Sequence, residues 1–177
     1  MSRWKINAMG EDTLIANSIA RLEAALNTVP EQFQALQEEV YQPRTPGKWS
    51  RLQILGHLCD SAINNVSRFI QLQQSGIANV SADPPSITPY NQNHWVDAQQ
   101  YNNAPIEDVI RLWCSLNQAV LRVITHLSQP SLDVRCKLPD GQIVTLEWLI
   151  QDYVAHMEHH LHQIFSKRSC LPVHKLK

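Results

Sequence analysis

Four histidines lie within seven residues near the C-terminus, in the stretch DYVAHMEHHLHQI. They are His156, His159, His160 and His162, and they make up half of the 8 histidines in this chain of 177 residues. Imidazole is a common ligand of zinc, nickel and other divalent ions, so a cluster of this density indicates a candidate metal site. The position of each histidine around the helix decides which of them could share one ion.

His156 and His160 form the pair whose spacing suits a shared ion. At ~100° per residue, this pair lies at the edge of the apolar face of the predicted helix, one turn apart, whereas His159 and His162 point away from it. Side chains at i and i+4 are neighbours, so two imidazoles can reach one ion. The alternative is that both histidines lie at the edge of the core and form hydrogen bonds, with no metal ion. Glu158 lies at a different offset from the base of the H-E-x-x-H motif, so no general base is predicted.

His57, on a second predicted helix, offers a third ligand. Its side of the helix lies opposite the apolar stripe and carries three further polar residues, at offsets of four, seven and eleven: Ser61, Asn64 and Arg68. These residue types suit a small-molecule pocket better than a fully solvated face, and an ordinary polar surface strip is the alternative. If the two helices are neighbours, His57 can complete a three-histidine site between facing helices of a bundle.

Three neutral imidazoles, with no thiolate or carboxylate, would leave a bound ion Lewis-acidic and leave a coordination position for substrate. Structural zinc sites are normally closed by four protein ligands, so the pattern favours chemistry. Asp60 follows His57 by about one turn, and Asp152 precedes His156 by one turn. Either carboxylate is a candidate to accept the second ring N–H of a ligating imidazole, with a solvent-exposed acid as the alternative.

Four amphipathic stretches predict the elements that position these residues, an all-α four-helix bundle in a single domain spanning residues 1–177. The first helix is expected to break at Pro30. Ser50 is a favourable N-cap for the second helix, and Pro105 is favourable in the first turn of the third. The fourth helix, which carries the histidine cluster, begins near Leu146.

The connections are also informative. Residues 75–104 are rich in Pro, Asn, Ser and Ala and predict a long loop between the second and third helices, a feature that is usually functional or disordered. Tyr90 and Trp95 in this loop are candidates to cover the site, with a surface role as the alternative. Short alternation around Asp140-Gly141 indicates a weak hairpin before the fourth helix. Trp49 is expected to be a core residue.

The composition excludes several classes of partner. The chain has 15 basic and 16 acidic residues and no run of Lys or Arg that could follow a phosphate backbone, so nucleic acid is not expected. No apolar stretch approaches the ~18 residues of a membrane span, and the N-terminus lacks the apolar core of a signal peptide. The four cysteines are widely spaced and form no CxxC pair. We therefore expect a cytoplasmic protein with no membrane partner.

Three motifs resemble the DinB-like family of helical-bundle metalloproteins, in the branch that includes bacillithiol S-transferase-like proteins and metal-dependent hydrolases. GKWSRLQILGHLCDS, followed by Asn64 and by Arg68-Phe69, is similar to the second-helix signature of this branch. SITPYNQNHW is similar to its loop and HMEHHLHQI to its fourth helix. One departure is Gln163, which stands where this branch often has a further histidine.

The resemblance implies that His57, His156 and His160 bind a divalent ion, zinc or nickel, in a four-helix bundle that is often a homodimer. It implies a metal-dependent enzyme acting on a small molecule, with transfer of a low-molecular-weight thiol such as bacillithiol preferred, because a bound ion lowers the pKa of a thiol. A hydrolase in which the ion ionises water near neutral pH is the second expectation. A non-catalytic metal- or ligand-binding protein of a stress response is the third.

Overall fold

The computed structural model describes residues 14–43, 45–78 and 83–166, and four long helices within these ranges form a bundle. In chain order the helices are α1 (Leu14–Gln34), α2 (Arg51–Ala78), α3 (Gln92–Gln99), α4 (Ile106–Thr125), α5 (Gln129–Leu132) and α6 (Leu146–Phe165). Short 3-10 helices span Gln37–Tyr41 and Tyr101–Asn103. The prediction of an all-α four-helix bundle, built from α1, α2, α4 and α6, is confirmed.

The core lies between the four long helices, because α1 and α2 each pack against both α4 and α6. Trp113 of α4 and Phe33 of α1 are among its largest fully buried side chains. Along α2, every residue from 50 to 62 is buried except Gln53, which is partly exposed. The polar side of α2 that carries His57 therefore faces the interior of the bundle. None of the described helices combines the length and apolarity needed to cross a membrane.

The predicted break at Pro30 is wrong, because α1 continues through this residue to Gln34. Proline at this position cannot donate the backbone hydrogen bond to the carbonyl four residues earlier. Val29 and Phe33, on either side of Pro30, are both buried against the rest of the bundle. Packing of this apolar face stabilises the helix more than the loss of one hydrogen bond weakens it.

The two helices that carry the histidines have well-defined starts. Ser50 Oγ accepts a hydrogen bond from the Gln53 backbone N–H at 3.0 Å, and Gln53 Oε1 accepts from the Ser50 N–H at 2.9 Å. This reciprocal pair is a capping box, and it confirms the predicted cap. Thr145 Oγ1 accepts from the Trp148 N–H at 3.2 Å and caps α6 in the same way. These caps set where each helix begins and therefore where its histidines point.

The predicted hairpin is present and is joined to the long connection between α2 and α4. Strands β1 (Arg135–Lys137) and β2 (Ile143–Thr145) pair antiparallel ahead of α6. The Ile87 N–H donates to the Lys137 carbonyl at 2.8 Å, and the Lys137 N–H donates to the Pro85 carbonyl at 2.9 Å. The connection is therefore anchored on the hairpin, and it contains the helix α3, whereas the sequence predicts a loop throughout.

Candidate metal centre

His57 of α2 and the α6 pair, His156 and His160, bring their Nε2 atoms together. The Nε2 of His156 lies 3.4 Å from that of His57 and 3.1 Å from that of His160. One ring nitrogen from each of the three residues lies within 4.8 Å of the other two. A tetrahedral ion with ligand bonds of ~2.0–2.1 Å holds its ligand atoms about 3.3 Å apart. The observed separations therefore fit three ligands of a single ion.

The environment keeps these imidazoles neutral. Burial, with smaller contributions from neighbouring histidines, lowers the pKa of His57 to about 3 and that of His156 to about 4. Burial likewise lowers the pKa of His160. Neutral imidazole is the form that binds a metal ion. Three converging neutral imidazoles could direct their Nε2 lone pairs at one cation, which would stabilise this arrangement.

Gln163 orients His160, a role that the sequence reading missed. Its Oε1 lies 2.9 Å from the Nδ1 of His160, and its Nε2 lies 2.9 Å from the Nε2 of exposed His159. The amide oxygen can only accept the Nδ1 proton, so the lone pair of His160 is on Nε2, facing the other two histidines. The spacing of three residues from His160 on a helix was the available signal. His159 and His162 lie outside the three-histidine cluster.

Neither predicted carboxylate accepts a hydrogen bond from a histidine among the described residues. Asp60 is fully buried, and its Oδ1 accepts from the Tyr101 hydroxyl at 2.7 Å and from Gln99 at 3.4 Å. Tyr101 can approach so closely because Gly56 has no side chain: a Cβ there would lie 2.1 Å from the tyrosine ring. Asp152 is exposed and lies in the wall of a cavity beside the cluster. The partner of Asp60 is thus distant in sequence, which its spacing from His57 could not indicate.

A cavity of about 310 Å³ opens beside the cluster, and His57 and His156 form part of its wall. Of the three predicted substrate-binding residues, Ser61 and Arg68 line this cavity, and Asn64 does not. The Asn64 side chain instead donates to the backbone carbonyl of Asp60 at 2.8 Å. The next residue, Asn65, lines the cavity in its place. Asn65 forms the same kind of bond, to the Ser61 carbonyl at 2.9 Å, so the two asparagines differ in their position around the helix and not in this bond.

The chain matches the model of the DinB superfamily over residues 21–164, a span that includes all three histidines. It belongs to the DinB superfamily.

Relatives of this DinB-superfamily chain carry names that refer to metal dependence. A protein of Geobacillus thermodenitrificans named "Putative metal-dependent hydrolase" is 24% identical over 160 residues, covering 86% of this chain and 85% of the relative. A relative of the same description from Halalkalibacterium halodurans is 26% identical over 144 residues, covering 78% of this chain and 80% of the relative. The similarity thus extends along most of both chains.

Two solved structures share the fold. YfiT from Bacillus subtilis, described as "a probable metal-dependent hydrolase with an unusual four-helix bundle topology", superposes with a TM-score of 0.70 at 22% identity, covering 93% of this chain and 91% of YfiT. A mycothiol-dependent maleylpyruvate isomerase superposes with a TM-score of 0.62 at 12% identity, covering 85% of this chain and 60% of the isomerase. At these identities the likeness establishes the fold alone.

The remaining walls of the site come from the long connection and the segment before α2. Tyr90 lines the cavity, and its ring packs 5.2 Å from that of Trp95. Burial raises the pKa of Tyr90 to about 12, so its hydroxyl is a neutral donor near Ser61. On the other side, the Trp49 ring lies 5.0 Å from the His57 ring. Trp49, expected in the core, packs at the core edge and also lines a groove of about 880 Å³.

Glu158, between the two histidines of α6, is directed away from the cluster. It forms an ion pair with Arg21 of α1, in which both side chains are partly exposed. The carboxylate therefore connects α6 to α1 and does not reach the site. The carboxylate that does line the cavity is Asp152, which precedes His156 by one helical turn.

Proposed function

We propose that this protein is a metal-dependent enzyme that acts on a small molecule, with His57, His156 and His160 as the ligands of a zinc or nickel ion. The convergence of the three Nε2 atoms beside a cavity of about 310 Å³ is the observation that carries this proposal. Three protein ligands leave at least one coordination position for a substrate. The names of the curated relatives support metal dependence.

We further propose that the reaction is the transfer of a low-molecular-weight thiol to an electrophile. A bound ion supplies positive charge that lowers the pKa of a thiol and so increases the fraction of nucleophilic thiolate. The thiol proton passes to solvent, a sulfur–carbon bond forms, and the bond to the leaving group breaks with its electron pair. Because the three ligands are neutral, the protein leaves the charge of the ion undiminished. Tyr90 and Ser61 line the cavity and could donate hydrogen bonds to the electrophile.

Hydrolysis is the second candidate, favoured by two observations. The curated relatives are named as hydrolases, and Asp152 lies in the cavity wall, where a carboxylate could accept a proton from water. A non-catalytic metal-binding protein is a third candidate, which predicts a bound ion without turnover. The homodimer and the cytoplasmic location that were expected from the sequence stay predictions.

The test begins with metal analysis of protein purified without a histidine tag or added metal. The loaded protein is then assayed with a panel of thiols, including bacillithiol, and an electrophile such as an aryl halide. We expect about one ion per chain, thiol-dependent turnover, and a sulfur-to-cobalt charge-transfer band when thiol is added to the Co²⁺-substituted protein.

Two variants form a matched pair: His160→Ala removes a proposed ligand, and His162→Ala removes an exposed histidine of the same helix. Comparing them separates loss of the metal site from the general effect of removing a histidine. Only His160→Ala should lose metal and turnover. If the protein hydrolyses an ester or amide without thiol, and His160→Ala loses this activity, the protein is a hydrolase and the thiol-transfer proposal is wrong. If metal-free protein is fully active, both the thiol-transfer and the hydrolase proposals are wrong.

A further inference from the structure

Arg68 places a positive charge in the wall of the cavity beside the three histidines. It lies eleven residues after His57 on α2, about three helical turns, and so on nearly the same side of the helix. Its Nη2 donates to the Thr88 carbonyl at 2.9 Å, and its Nη1 donates to Asn65 Oδ1 at 3.4 Å. Both acceptors are neutral, so these contacts orient the guanidinium without compensating its charge.

Arg68 is distinguished from the other arginines of the described ranges because it is partly buried and also lacks a counterion. Three of them form ion pairs with a carboxylate: Arg21, Arg51 and Arg111. The two others without an ion pair are exposed to solvent: Arg122 and Arg135. Arg68 is partly buried, and no carboxylate of the described residues lies within ion-pair distance of it, although Asp152 lines the same cavity. Partial withdrawal of an unpaired charge from water has a cost, so its presence in a cavity wall indicates a charged ligand.

The guanidinium is held in place before any ligand arrives. Thr88 follows directly after Pro85–Ile87, the segment that is hydrogen-bonded to Lys137 of β1. The carbonyl that binds Nη2 is therefore part of an anchored loop. A guanidinium has five N–H donors in a planar fork, and two of them are used here, which leaves three. A planar fork of this kind matches the two oxygens of a carboxylate.

The rest of the wall favours a carboxylate over a phosphate. Among the described residues no lysine lines the cavity, and Asp152 contributes a negative charge to it. The single positive charge of Arg68 can be neutralised by a monoanion, whereas a phosphate dianion would keep a net negative charge in a cavity that already contains Asp152. A volume of about 310 Å³ lies at the lower end of the ~300–1,000 Å³ of small-molecule sites. The cavity is thus suited to a short acid.

We propose that Arg68 binds a carboxylate of the substrate, whose reactive group lies at the three histidines at the other end of the same cavity. The substrate class is then a small monocarboxylic acid that carries its electrophilic or scissile group several bonds from the carboxylate. The position of the reactive group rests on the proposed function. The carboxylate contact does not, and it can be measured without any metal.

The first experiment uses metal-free, ¹⁵N-labelled protein and follows the arginine Nε–Hε signals by NMR. The Arg68 signal is identified as the one that is absent from Arg68→Gln. Titration with butyrate should move this signal, and titration with butyramide, which has the same shape without the charge, should not. Equal shifts with acid and amide, or no shift with either, would overturn the inference even if the metal site is real.

The second experiment measures affinity in the metal-loaded protein with chelating probes of different length. The probes are monohydroxamates of short dicarboxylic acids and their carboxamide counterparts, in which the hydroxamate binds the ion and only the far end differs. We expect the acid of optimal length to bind about 10-fold or more tightly than its amide, as is typical of a hydrogen bond between charged groups. In Arg68→Gln this ratio should fall to about one.

Arg122→Gln is the matched control, because it removes the same charge from an exposed position on α4. It should keep the wild-type ratio of acid to amide. A ratio that persists in Arg68→Gln, or that falls equally in Arg122→Gln, would contradict a carboxylate contact at Arg68. If no hydroxamate binds to any of the proteins, the proposed metal site fails, and the arginine titration alone decides the inference.

Discussion

The interface between α1 and α4 and the interface between α2 and α6 differ in chemistry, although both belong to the same bundle. Buried residues of α1 and α4 are mainly apolar, and the buried Asn117 of α4 is hydrogen-bonded to Tyr153 and to the Trp113 carbonyl. Three described side-chain atoms are buried without a hydrogen-bond partner: Trp113 Nε1 on α4, and His57 Nδ1 and Asp60 Oδ2 on α2. The first interface thus mainly stabilises the fold, and the second retains more polar groups at a cost in stability, as sites of function commonly do.

Replacing Trp113 with Ala should give the largest loss of stability, because its side chain is fully buried in the apolar interface. Truncation of a buried tryptophan removes apolar burial and leaves a cavity, at a cost of about 3–5 kcal/mol. Urea unfolding of the metal-free protein measures this change. Metal affinity under native conditions should be unaltered. A loss below about 1 kcal/mol would show that this interface is not where the stability lies.

Replacing His57 with Leu should weaken metal binding without reducing the stability of the metal-free protein. Metal affinity should fall by about 100-fold or more, since loss of the orienting partners of a ligand alone costs 10–100-fold. The stability of the metal-free protein should stay the same or rise, because an apolar group of similar size replaces a buried imidazole with an unsatisfied nitrogen. Chelator competition and urea unfolding give the two values. If the metal-free variant is as unstable as Trp113→Ala, the contrast between the interfaces is wrong.

Gln163→Ala tests whether the polar interface is organised for metal binding. Loss of the acceptor for His160 Nδ1 should weaken metal binding by about 10–100-fold. Gln163→Glu keeps an oxygen at this position and should restore most of the affinity. Isothermal titration with Zn²⁺ compares the three proteins. Equal affinity in all of them would mean that Gln163 does not position His160.

Tyr101→Phe should cost less stability than Trp113→Ala, about 1.5–3 kcal/mol near neutral pH, and this loss should depend on pH. Burial raises the pKa of Asp60, and the Tyr101 hydrogen bond partly opposes that rise. Without the hydroxyl, the folded-state pKa rises further while the unfolded-state value, ~3.9, is unchanged. The added destabilisation is therefore full above the folded-state pKa and shrinks as the pH falls through it.

Tyr41→Phe is the control for this measurement. The Tyr41 hydroxyl donates to the Ala104 backbone carbonyl at 3.4 Å, and a carbonyl does not titrate. Urea unfolding at pH 7.5 and at pH 4.5 should give a constant difference for Tyr41→Phe and a smaller difference at low pH for Tyr101→Phe. The same pH dependence in both variants would show that the Asp60 contact is not its source.

The amphipathic helices, the cap of α2 at Ser50 and the alignment of His156 with His160 could all be predicted from the sequence. These features depend on interactions between residues close in the chain. The cap of α2 joins Ser50 to Gln53, and the alignment of His156 with His160 follows from one helical turn. Local periodicity also predicted that Ser61 and Arg68 share the side of α2 that carries His57.

The partners of these residues depend on how distant parts of the chain pack together and could not be predicted from spacing. Asp60 binds Tyr101, Arg68 binds the Thr88 carbonyl, and Glu158 binds Arg21, and each contact joins residues 20 or more positions apart in the chain. The continuation of α1 through Pro30 likewise depends on packing against other helices. Sequence spacing reports the direction of a side chain along its own helix. What lies in that direction is set by the docking of the helices and by the loop that is anchored on the hairpin.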